Sequence, residues 1–260
     1  MVRLSVCVPA ANAGRTLAAT LRSILDQDVE MEVLVLDNAS RDETWRITAS
    51  FDDERVRLER DSRALPRGEH WNKAVSLSTG KLVKLVRADD LLLPAALPEQ
   101  LRVMGDNGIA LATSSFRLLD EHGAIGQRTL APPLLGPHDT RALLRAIVRG
   151  GPASFGPITT AIFRRADFDR VGGFRGDLVR PMGVDLLARL SVFGTYHGMA
   201  ETTAAWNDPA AAEPATCGAV TEMLRFHHRL RYEYPQLLGC TDLLAGDLRV
   251  VRAAVARLRA

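Results

Sequence analysis

Two adjacent carboxylates, Asp89 and Asp90, directly follow an apolar run, KLVKLV at 81–86, that has the length of a strand. Two like charges at one strand end repel each other unless a cation lies beside them. Mg²⁺ or Mn²⁺ suits such a place, because these ions take one or two carboxylates together with phosphate oxygens and water. The pair therefore indicates a metal site that also holds a diphosphate. The alternative is an ordinary turn or helix cap.

A third acid, Asp37, ends another apolar run, MEVLVLD at 31–37. An acid at the end of the second strand of a nucleotide-binding sheet accepts hydrogen bonds from a nucleoside. The alternative is that Asp37 organises its own turn, as aspartates often do. The loop after the first apolar run reads VPAANAGRTL at 8–17, with Gly14 alone in place of G-x-G-x-x-G. This argues against a nicotinamide-dependent dehydrogenase.

The elements that must position these acids follow from hydrophobic periodicity. Apolar runs of strand length alternate with amphipathic stretches of helical length, which is typical of βαβ units and a parallel sheet. We predict strands at 3–10, 31–37, 55–60 and 81–86, and helices at 15–27, 38–51 and 70–80. Ser40 and Glu43 form an S-x-x-E capping box, which predicts a helix start near residue 41. Gly80 is expected to end the third helix.

Ligands of open α/β sheets bind outside the carboxyl ends of the strands. The loops at 9–12, 37–40 and 87–90 are therefore predicted to meet at one site. Farther along, 108–126 indicates a strand pair around a turn, and two amphipathic helices follow residue 218. Between them, Trp206 begins a loop rich in proline and alanine that could close over a ligand. An exposed aromatic ring there suits stacking on a sugar.

Composition limits the classes of protein. With 260 residues, 47% of them apolar, the chain can bury a large core. A balance of 33 basic against 31 acidic side chains argues against a nucleic-acid binder that works by bulk charge. Three dispersed cysteines without a C-x-x-C pair suggest neither a disulfide framework nor a zinc site. No run approaches the roughly 20 apolar residues that span a bilayer. We expect a cytoplasmic protein, either free or peripheral to a membrane.

Four segments resemble, in order and spacing, the family-2 glycosyltransferases with a GT-A fold. They are LSVCVPAANAGRTLAATLRSIL, EVLVLDNASRDET, EHWNKAVSLSTGKLVKLVRADDLLLP and AIFRRADFDRVGGF. The resemblance implies an α/β fold with a Rossmann-like, mostly parallel sheet flanked by helices and followed by C-terminal helices. The corresponding organisation is a nucleotide-sugar-binding half at 1–100, an acceptor-binding half at 101–205, and a lid loop with C-terminal helices at 206–260.

The activity implied by the resemblance is transfer of a sugar from a nucleoside diphosphate sugar to an acceptor hydroxyl. Inversion at the anomeric carbon and dependence on Mn²⁺ or Mg²⁺ are expected, and UDP is the expected nucleotide. A glycan, a lipid-linked glycan and a natural product all remain open as acceptors, and the C-terminal helices could form a homodimer. The alternative is a catalytically weak sugar-nucleotide-binding or interaction protein of the same fold.

The resemblance also assigns residues on the donor side. Pro9, Ala11 and Asn12 match the first loop, which contacts the nucleoside, although alanines replace the usual Thr-Tyr and remove an aromatic platform. Asp37 matches the acid that pairs with uracil. Two residues of HWNKA, Asn72 and Lys73, match a helix that faces the donor. The segment RAD occupies the D-x-D motif, so that Arg87 and Ala88 contact the donor, Asp89 binds the metal and Asp90 supports it.

The family's usual general base is missing from the sequence. The family motif E-D-x-D-L-x-x-R-L corresponds to MGVDLLARL at 182–190, with Met182 and Gly183 at the Glu-Asp positions. Asp185 is the nearest carboxylate and is predicted to act as the base, with Asp177 as a second candidate. The alternative is an ion pair between Asp185 and Arg189, four residues on along a helix.

Overall fold

The computed structural model describes residues 4–120, 122–207 and 216–258. Its centre is one sheet. The strands are β1 (Leu4–Ala10), β2 (Glu32–Asp37), β3 (Val56–Arg60), β4 (Leu82–Leu85), β5 (Leu91–Leu92), β6 (Ile109–Leu119), β7 (Ile125–Leu130), β8 (Gly136–His138), β9 (Ile162–Arg164) and β10 (Thr195–Trp206). Their order is β3-β2-β1-β4-β9-β6-β10-β5, with β7 beside β6 and β8 beside β10.

Helices cover both faces of this sheet. They are α1 (Leu17–Leu25), α2 (Thr44–Ala49), α3 (Arg67–Leu77), α4 (Ala96–Val103), α5 (Thr140–Gly150), α6 (Arg165–Arg170), α7 (Met182–Leu190), α8 (Cys217–Glu233) and α9 (Cys240–Leu258). None of these helices combines the length and the apolar character that crossing a membrane requires.

The predicted βαβ organisation is confirmed in the first four strands. Strand β1 runs parallel to β2 and β4, and β2 runs parallel to β3. Beyond them the sheet is mixed, because β9 lies antiparallel between β4 and β6 while β10 runs parallel to β6. The predicted strand pair after residue 108 is also confirmed as β6 and β7. The carboxyl ends of β1, β2 and β4 consequently share one edge.

Both faces of β1 are buried, as its apolar sequence predicts. Val6 and Val8 belong to the core that includes Leu21 of α1, whereas Cys7 belongs to the core that includes Ala74 of α3. Side chains alternate between the two faces because a strand has a period of two. Such a strand can meet a ligand only at its end.

Two local predictions about helix ends are wrong. Helix α2 begins at Thr44 and has no side-chain cap, because the Ser40 hydroxyl accepts a hydrogen bond from the Asn12 N–H instead (2.8 Å). Helix α3 ends at Leu77, before Gly80. Gly80 serves a close approach of two backbones, since a Cβ there would lie 2.5 Å from the backbone nitrogen of Ser5.

A lysine is buried in the middle of the sheet. Lys84 of β4 is fully buried, and its ammonium group donates to Gln100 Oε1 (2.8 Å). Gln100 in turn donates to the carbonyl of Thr160 (2.7 Å). Burial lowers the pKa of Lys84 to about 7, while the carboxylate of Asp90 opposes that shift. These contacts connect β4 and α4 to the turn at residue 160, next to the strand end that carries Asp90.

The C-terminal helices are confirmed and lie against the body of the protein. Asp242 of α9 accepts hydrogen bonds from Arg145 (3.1 Å) and Arg149 (2.7 Å) of α5. Asp139 caps helix α5 by accepting from the Ala142 N–H (2.8 Å). The position of α9 beside the end of α5 follows from these ion pairs.

Candidate active site

A cleft of about 1010 Å³ opens at the carboxyl ends of β1 and β4. Several elements line it: the loops after both strands, α3, the first turn of α7, and the inner faces of α8 and α9. The predicted site residues on its wall are Pro9, Ala11, Asn12, Arg87, Ala88, Asp89 and Trp206. Those away from its wall are Asp37, Asn72, Lys73 and Asp185.

Asn12 joins the loop after β1 to the loop after β2. Its backbone has a φ of 50°, a left-handed conformation that asparagine tolerates better than most residues. Its Oδ1 accepts from the Arg41 N–H (3.0 Å), and its own N–H donates to Ser40. The two loops therefore form one connected edge of the cleft, as expected from the strand order.

Asp37 is fully buried at the end of β2. Its Oδ1 accepts from the Ser40 N–H (3.1 Å), so the carboxylate does organise its own turn. Arg60 Nε lies 3.0 Å from Oδ2, but the direction is not that of a hydrogen bond. Among the described residues Oδ2 thus has an ionic contact and no hydrogen-bond donor. The predicted contact with the nucleoside stays a prediction.

The residues of the D-x-D position form a small charge cluster. Arg87 donates from Nη2 to Asp89 Oδ2 (2.7 Å), and its Nε lies 4.0 Å from Asp90 Oδ2. Asp90 is fully buried and accepts from the Thr159 hydroxyl (2.5 Å) and the Asn207 N–H (3.2 Å). Burial raises the pKa of Asp90 to about 7. Asp89, not Asp90, therefore faces the cleft.

Asp89 offers a place for one metal bond. Its side chain is 31% exposed, and its Oδ1 has no hydrogen-bond or ion-pair partner in the described parts of the chain. No group of three or more acidic, histidine or cysteine side chains that could enclose an ion exists there. A single carboxylate fits Mg²⁺ or Mn²⁺ when substrate phosphates and water complete the coordination. The donor set thus fits a metal held jointly by Asp89 and a diphosphate.

Asn72 and Lys73 have other partners. The amide of Asn72 donates to Phe174 O (3.0 Å) and accepts from Phe174 N–H (2.7 Å), while Lys73 pairs with Asp61. Gly173 permits this docking, because its φ is +72° and a Cβ would lie 2.4 Å from Asn72 Oδ1. Their predicted contact with the donor stays a prediction.

Other residues of the same helix, Arg67 and Trp71 of α3, do line the cleft. The sequence did not indicate Trp71 as a site residue, although it lies inside the HWNKA motif. An apolar residue of an amphipathic helix normally packs in the core. The pattern around Trp71 therefore did not indicate contact with a ligand.

Asp185 lies inside the protein between two guanidinium groups. Arg189 Nη2 is 2.8 Å from its Oδ2, and Arg175 Nη1 is 3.3 Å from its Oδ1. Burial raises the pKa of the carboxyl group, and both arginines oppose that shift. The predicted role as general base stays a prediction, and this geometry favours the alternative of an ion pair.

The model of "Glycosyl transferase family 2" matches residues 5–172. The chain belongs to glycosyltransferase family 2. This match covers the four segments whose resemblance was noted in the sequence, except for Leu4 at the start of the first and Gly173 and Phe174 at the end of the last.

Two relatives of this family-2 chain illustrate the range of similarity. "Uncharacterized protein MT1568" of Mycobacterium tuberculosis is 32% identical over 195 residues, which is 72% of this chain and 61% of that protein. The Escherichia coli protein "UDP-Glc:alpha-D-GlcNAc-diphosphoundecaprenol beta-1,3-glucosyltransferase WfgD" is 26% identical over 125 residues, 48% of this chain and 49% of the relative. The matches thus span only 61% and 49% of these relatives.

Solved structures confirm the predicted GT-A fold. Residues 1–349 of S. aureus TarS superpose with a TM-score of 0.71 at 18% identity, over 95% of this chain and 71% of that one. A complex of the same TarS segment with UDP-GlcNAc gives 0.68 at 17% identity, over 86% and 65%. The mannosyltransferase PcManGT of Pyrobaculum calidifontis, in complex with GDP-Man and Mn²⁺, gives 0.64 at 18% identity, over 99% and 74%.

The first turn of α7 forms part of the wall of the cleft. Met182 and Gly183 both line it. The carboxylates that line it among the described residues are Asp42, Asp89 and Glu222. Glu222 belongs to α8, and no motif in the sequence pointed to it. Its place on the cleft depends on how α8 packs against the rest of the protein.

Proposed function

We propose that the protein transfers a sugar from a nucleoside diphosphate sugar, with UDP as the nucleotide, to an acceptor hydroxyl with inversion. The observation that carries this proposal is that the loop after β1, Asp89 and Trp206 line the same cleft. The TarS complex with UDP-GlcNAc and the UDP-glucose named for WfgD support a UDP-linked donor.

The residues have separate roles in the proposed reaction. Asn12 and its neighbours hold the nucleoside edge, and Asp37 Oδ2, which has no hydrogen-bond donor among the described residues, accepts from the base. Asp89, together with the diphosphate, would hold Mn²⁺ or Mg²⁺. The bound ion would stabilise, as a Lewis acid, the charge that builds up on the departing diphosphate. Arg87 adds a fixed positive charge on the same wall.

A catalytically weak sugar-nucleotide-binding protein is the second candidate. The specific observation that favours it is the pair Met182 and Gly183, neither of which can accept a proton, at the positions of the family's base. This candidate predicts tight binding of a sugar nucleotide and negligible release of its nucleoside diphosphate.

The acceptor and the assembly belong to the proposal as well. A glycan, a lipid-linked glycan and a natural product remain the acceptor classes, and WfgD is named for a lipid-linked one. We propose a cytoplasmic location, peripheral to a membrane if the acceptor is lipid-linked. A homodimer would use the exposed apolar stripe of α9, which consists of Leu244, Leu248, Val251 and Val255.

Calorimetric titration with nucleotides, with and without Mn²⁺, tests the donor class and the metal together. We expect UDP to bind more tightly with Mn²⁺ than without it, and NAD to bind in neither condition. Binding of NAD with no response to any nucleoside diphosphate would contradict the proposal. Release of UDP from a bound UDP-sugar then separates an active transferase from a binding protein.

Replacing Asp37 by asparagine should weaken UDP binding by about tenfold, as expected for the loss of one hydrogen bond to a charged acceptor. The asparagine Oδ1 can still accept from Ser40 N–H, so the turn should keep its shape. Calorimetry gives the Kd, and thermal unfolding gives the control for folding. An unchanged Kd in a folded Asp37→Asn protein would mean that Asp37 only organises the turn.

A further inference from the structure

The wall of the cleft lacks a base at the usual place, yet a carboxylate lies next to that place. Glu222 of α8 lines the cleft, and its Oε1 accepts from the N–H groups of Val179 (2.5 Å) and Arg180 (3.3 Å). These two residues come directly before the turn that enters α7 at Met182. The carboxylate of Glu222 is therefore hydrogen-bonded to the segment directly before Met182 and Gly183, the positions at which the family motif has its acids.

The other two carboxylates on the described wall are already engaged on the donor side. Asp89 pairs with Arg87. Asp42 accepts from the Thr44 hydroxyl (2.5 Å) and the Gly14 N–H (2.9 Å) in the loops after β2 and β1. Glu222, by contrast, uses only Oε1, and its Oε2 has no partner in the described parts of the chain. Two N–H donors fix its orientation and leave one oxygen available.

We propose that Glu222 is the general base of the reaction, an inference that rests on the proposed function. Glu222 Oε2 takes the proton of the acceptor hydroxyl while the acceptor oxygen forms its bond to the anomeric carbon. The bond between that carbon and the diphosphate oxygen breaks, and the electron pair leaves with the diphosphate. The acceptor loses one proton, Glu222 gains it, and no further reactant is needed. A positioned base of this kind contributes about 10²–10⁴-fold to a rate.

The test compares Glu222→Gln with Glu233→Gln, the same change on the same helix. Glutamine Oε1 can still accept from Val179 and Arg180, so folding and UDP affinity should stay unchanged. UDP release from UDP-glucose and from UDP-GlcNAc, with water as acceptor, should fall by about 100-fold in Glu222→Gln and by less than twofold in Glu233→Gln. Glu233 pairs with Arg175 and does not line the cleft.

The pH profile separates a base from a residue that only holds the segment. In the wild type, kcat/KM should rise with pH as a carboxylate loses its proton, and this rise should vanish in Glu222→Gln. Glu222→Asp should retain part of the rate. Equal rates in the wild type and Glu222→Gln would overturn the role of Glu222 and leave the proposed function standing. A wild type that binds UDP but releases none from either sugar nucleotide would overturn both.

A different observation concerns the part of the cleft wall that α9 forms, where Arg249 lies. Its guanidinium packs on the backbone of Gly151, because a Cβ there would lie 2.5 Å from Nη1. Nε and Nη2 are buried without a hydrogen-bond partner in the described regions, and burial lowers the pKa of the group. Asp242 of the same helix pairs with Arg145 and Arg149 of α5 and not with Arg249.

Arg249 is half-buried, and a guanidinium with two buried nitrogens that lack an acceptor is unfavourable in the free protein. It becomes more favourable once an anion is bound. Arg249, Val250, Ala253 and Glu222 line the cleft from α9 and α8, whereas Arg87 and Asp89 line it from the loop after β4. We infer that Arg249 binds an anionic group, a phosphate or a carboxylate, of the acceptor. That this anion belongs to the acceptor rests on the proposed function, whereas the anion site itself does not.

Arg249→Met tests this site, with Arg252→Met on the exposed side of the same helix as control. Methionine keeps an apolar stem and removes the unpaired charge, so the Tm of the free protein should rise by about 2–4 °C. Methyl phosphate, added to protein saturated with UDP and Mn²⁺, should raise the Tm of the wild type and of Arg252→Met but not of Arg249→Met. Acetate in a parallel series distinguishes a carboxylate site from a phosphate site.

The results of the anion titrations can be distinguished from the results of UDP binding. An equal response of Arg249→Met and the wild type to both anions would overturn the anion site, as would no response of the wild type to either. A wild type that does not bind UDP would contradict the proposed function, and the comparison of Arg249→Met with Arg252→Met in methyl phosphate alone would still test the anion site.

Discussion

Asp89→Asn is expected to remove the part of UDP affinity that depends on Mn²⁺ and to lower sugar transfer by about 10³-fold, since a Lewis acid supplies several kcal/mol of transition-state stabilisation. Asp89 faces the cleft and has one oxygen without a partner among the described residues, so its carboxylate is the protein's metal ligand in this proposal. Calorimetric titration of UDP at several Mn²⁺ concentrations measures the first effect, and UDP release measures the second.

Asp90→Asn is the matched control for this experiment. Asp90 is buried, and an asparagine oxygen can accept one of its two hydrogen bonds, from Thr159 or from Asn207. Its effect on the Mn²⁺ dependence should therefore be much smaller. Equal losses in the two variants, or none in either, would show that the ligand assignment is wrong. If UDP binds to the wild type equally well with and without Mn²⁺, Arg87 and not a metal ion would compensate the charge of the diphosphate.

Asp185→Asn should destabilise the protein by about 3–5 kcal/mol, because removing one member of a buried ion pair leaves an uncompensated charge inside. The charge left behind belongs mainly to Arg189, which is 4% exposed, whereas Arg175 can also pair with Glu233. For a domain of this size the Tm should fall by about 10 °C or more. Thermal unfolding followed by circular dichroism measures the change.

A double variant separates the two roles of Asp185. Asp185→Asn combined with Arg189→Gln removes both charges, so its loss of stability should be smaller than the sum of the single losses. A stable Asp185→Asn protein with unchanged UDP affinity and about 100-fold slower transfer would contradict this expectation. That result would restore Asp185 as the base and remove the need for Glu222.

The local sequence pattern predicted the strands and helices of the first hundred residues, but it was wrong about where two of the helices begin or end. The strands and helices of the first hundred residues follow from the spacing of apolar side chains, which each segment carries by itself. The capping box at Ser40 and Glu43 was wrong because the Ser40 hydroxyl bonds to Asn12, a residue 28 positions away. A cap needs a free side chain, and only the meeting of two loops determines whether it is free.

The site was predicted where it depends on strand ends and missed where it depends on helix packing. The approach of Asn12 and Asp89 to one cleft follows from the parallel order of β1, β2 and β4. Trp71 lines the same cleft but reads as a core residue, since an apolar position on an amphipathic helix has the same pattern in both roles.

The sequence by itself determined the alternation of strands and helices, the family, and the absence of the usual base at Met182 and Gly183. Each of these features depends only on residues that are close together in the sequence. Only the tertiary structure decided which charges find partners: Asp185 with Arg189 and Arg175 in the interior, Glu222 against Val179, and Arg249 with no acceptor among the described residues. The free energy of a buried charge depends on what lies within a few ångströms of it. Packing brings those neighbours from distant parts of the chain, so no local pattern can specify them.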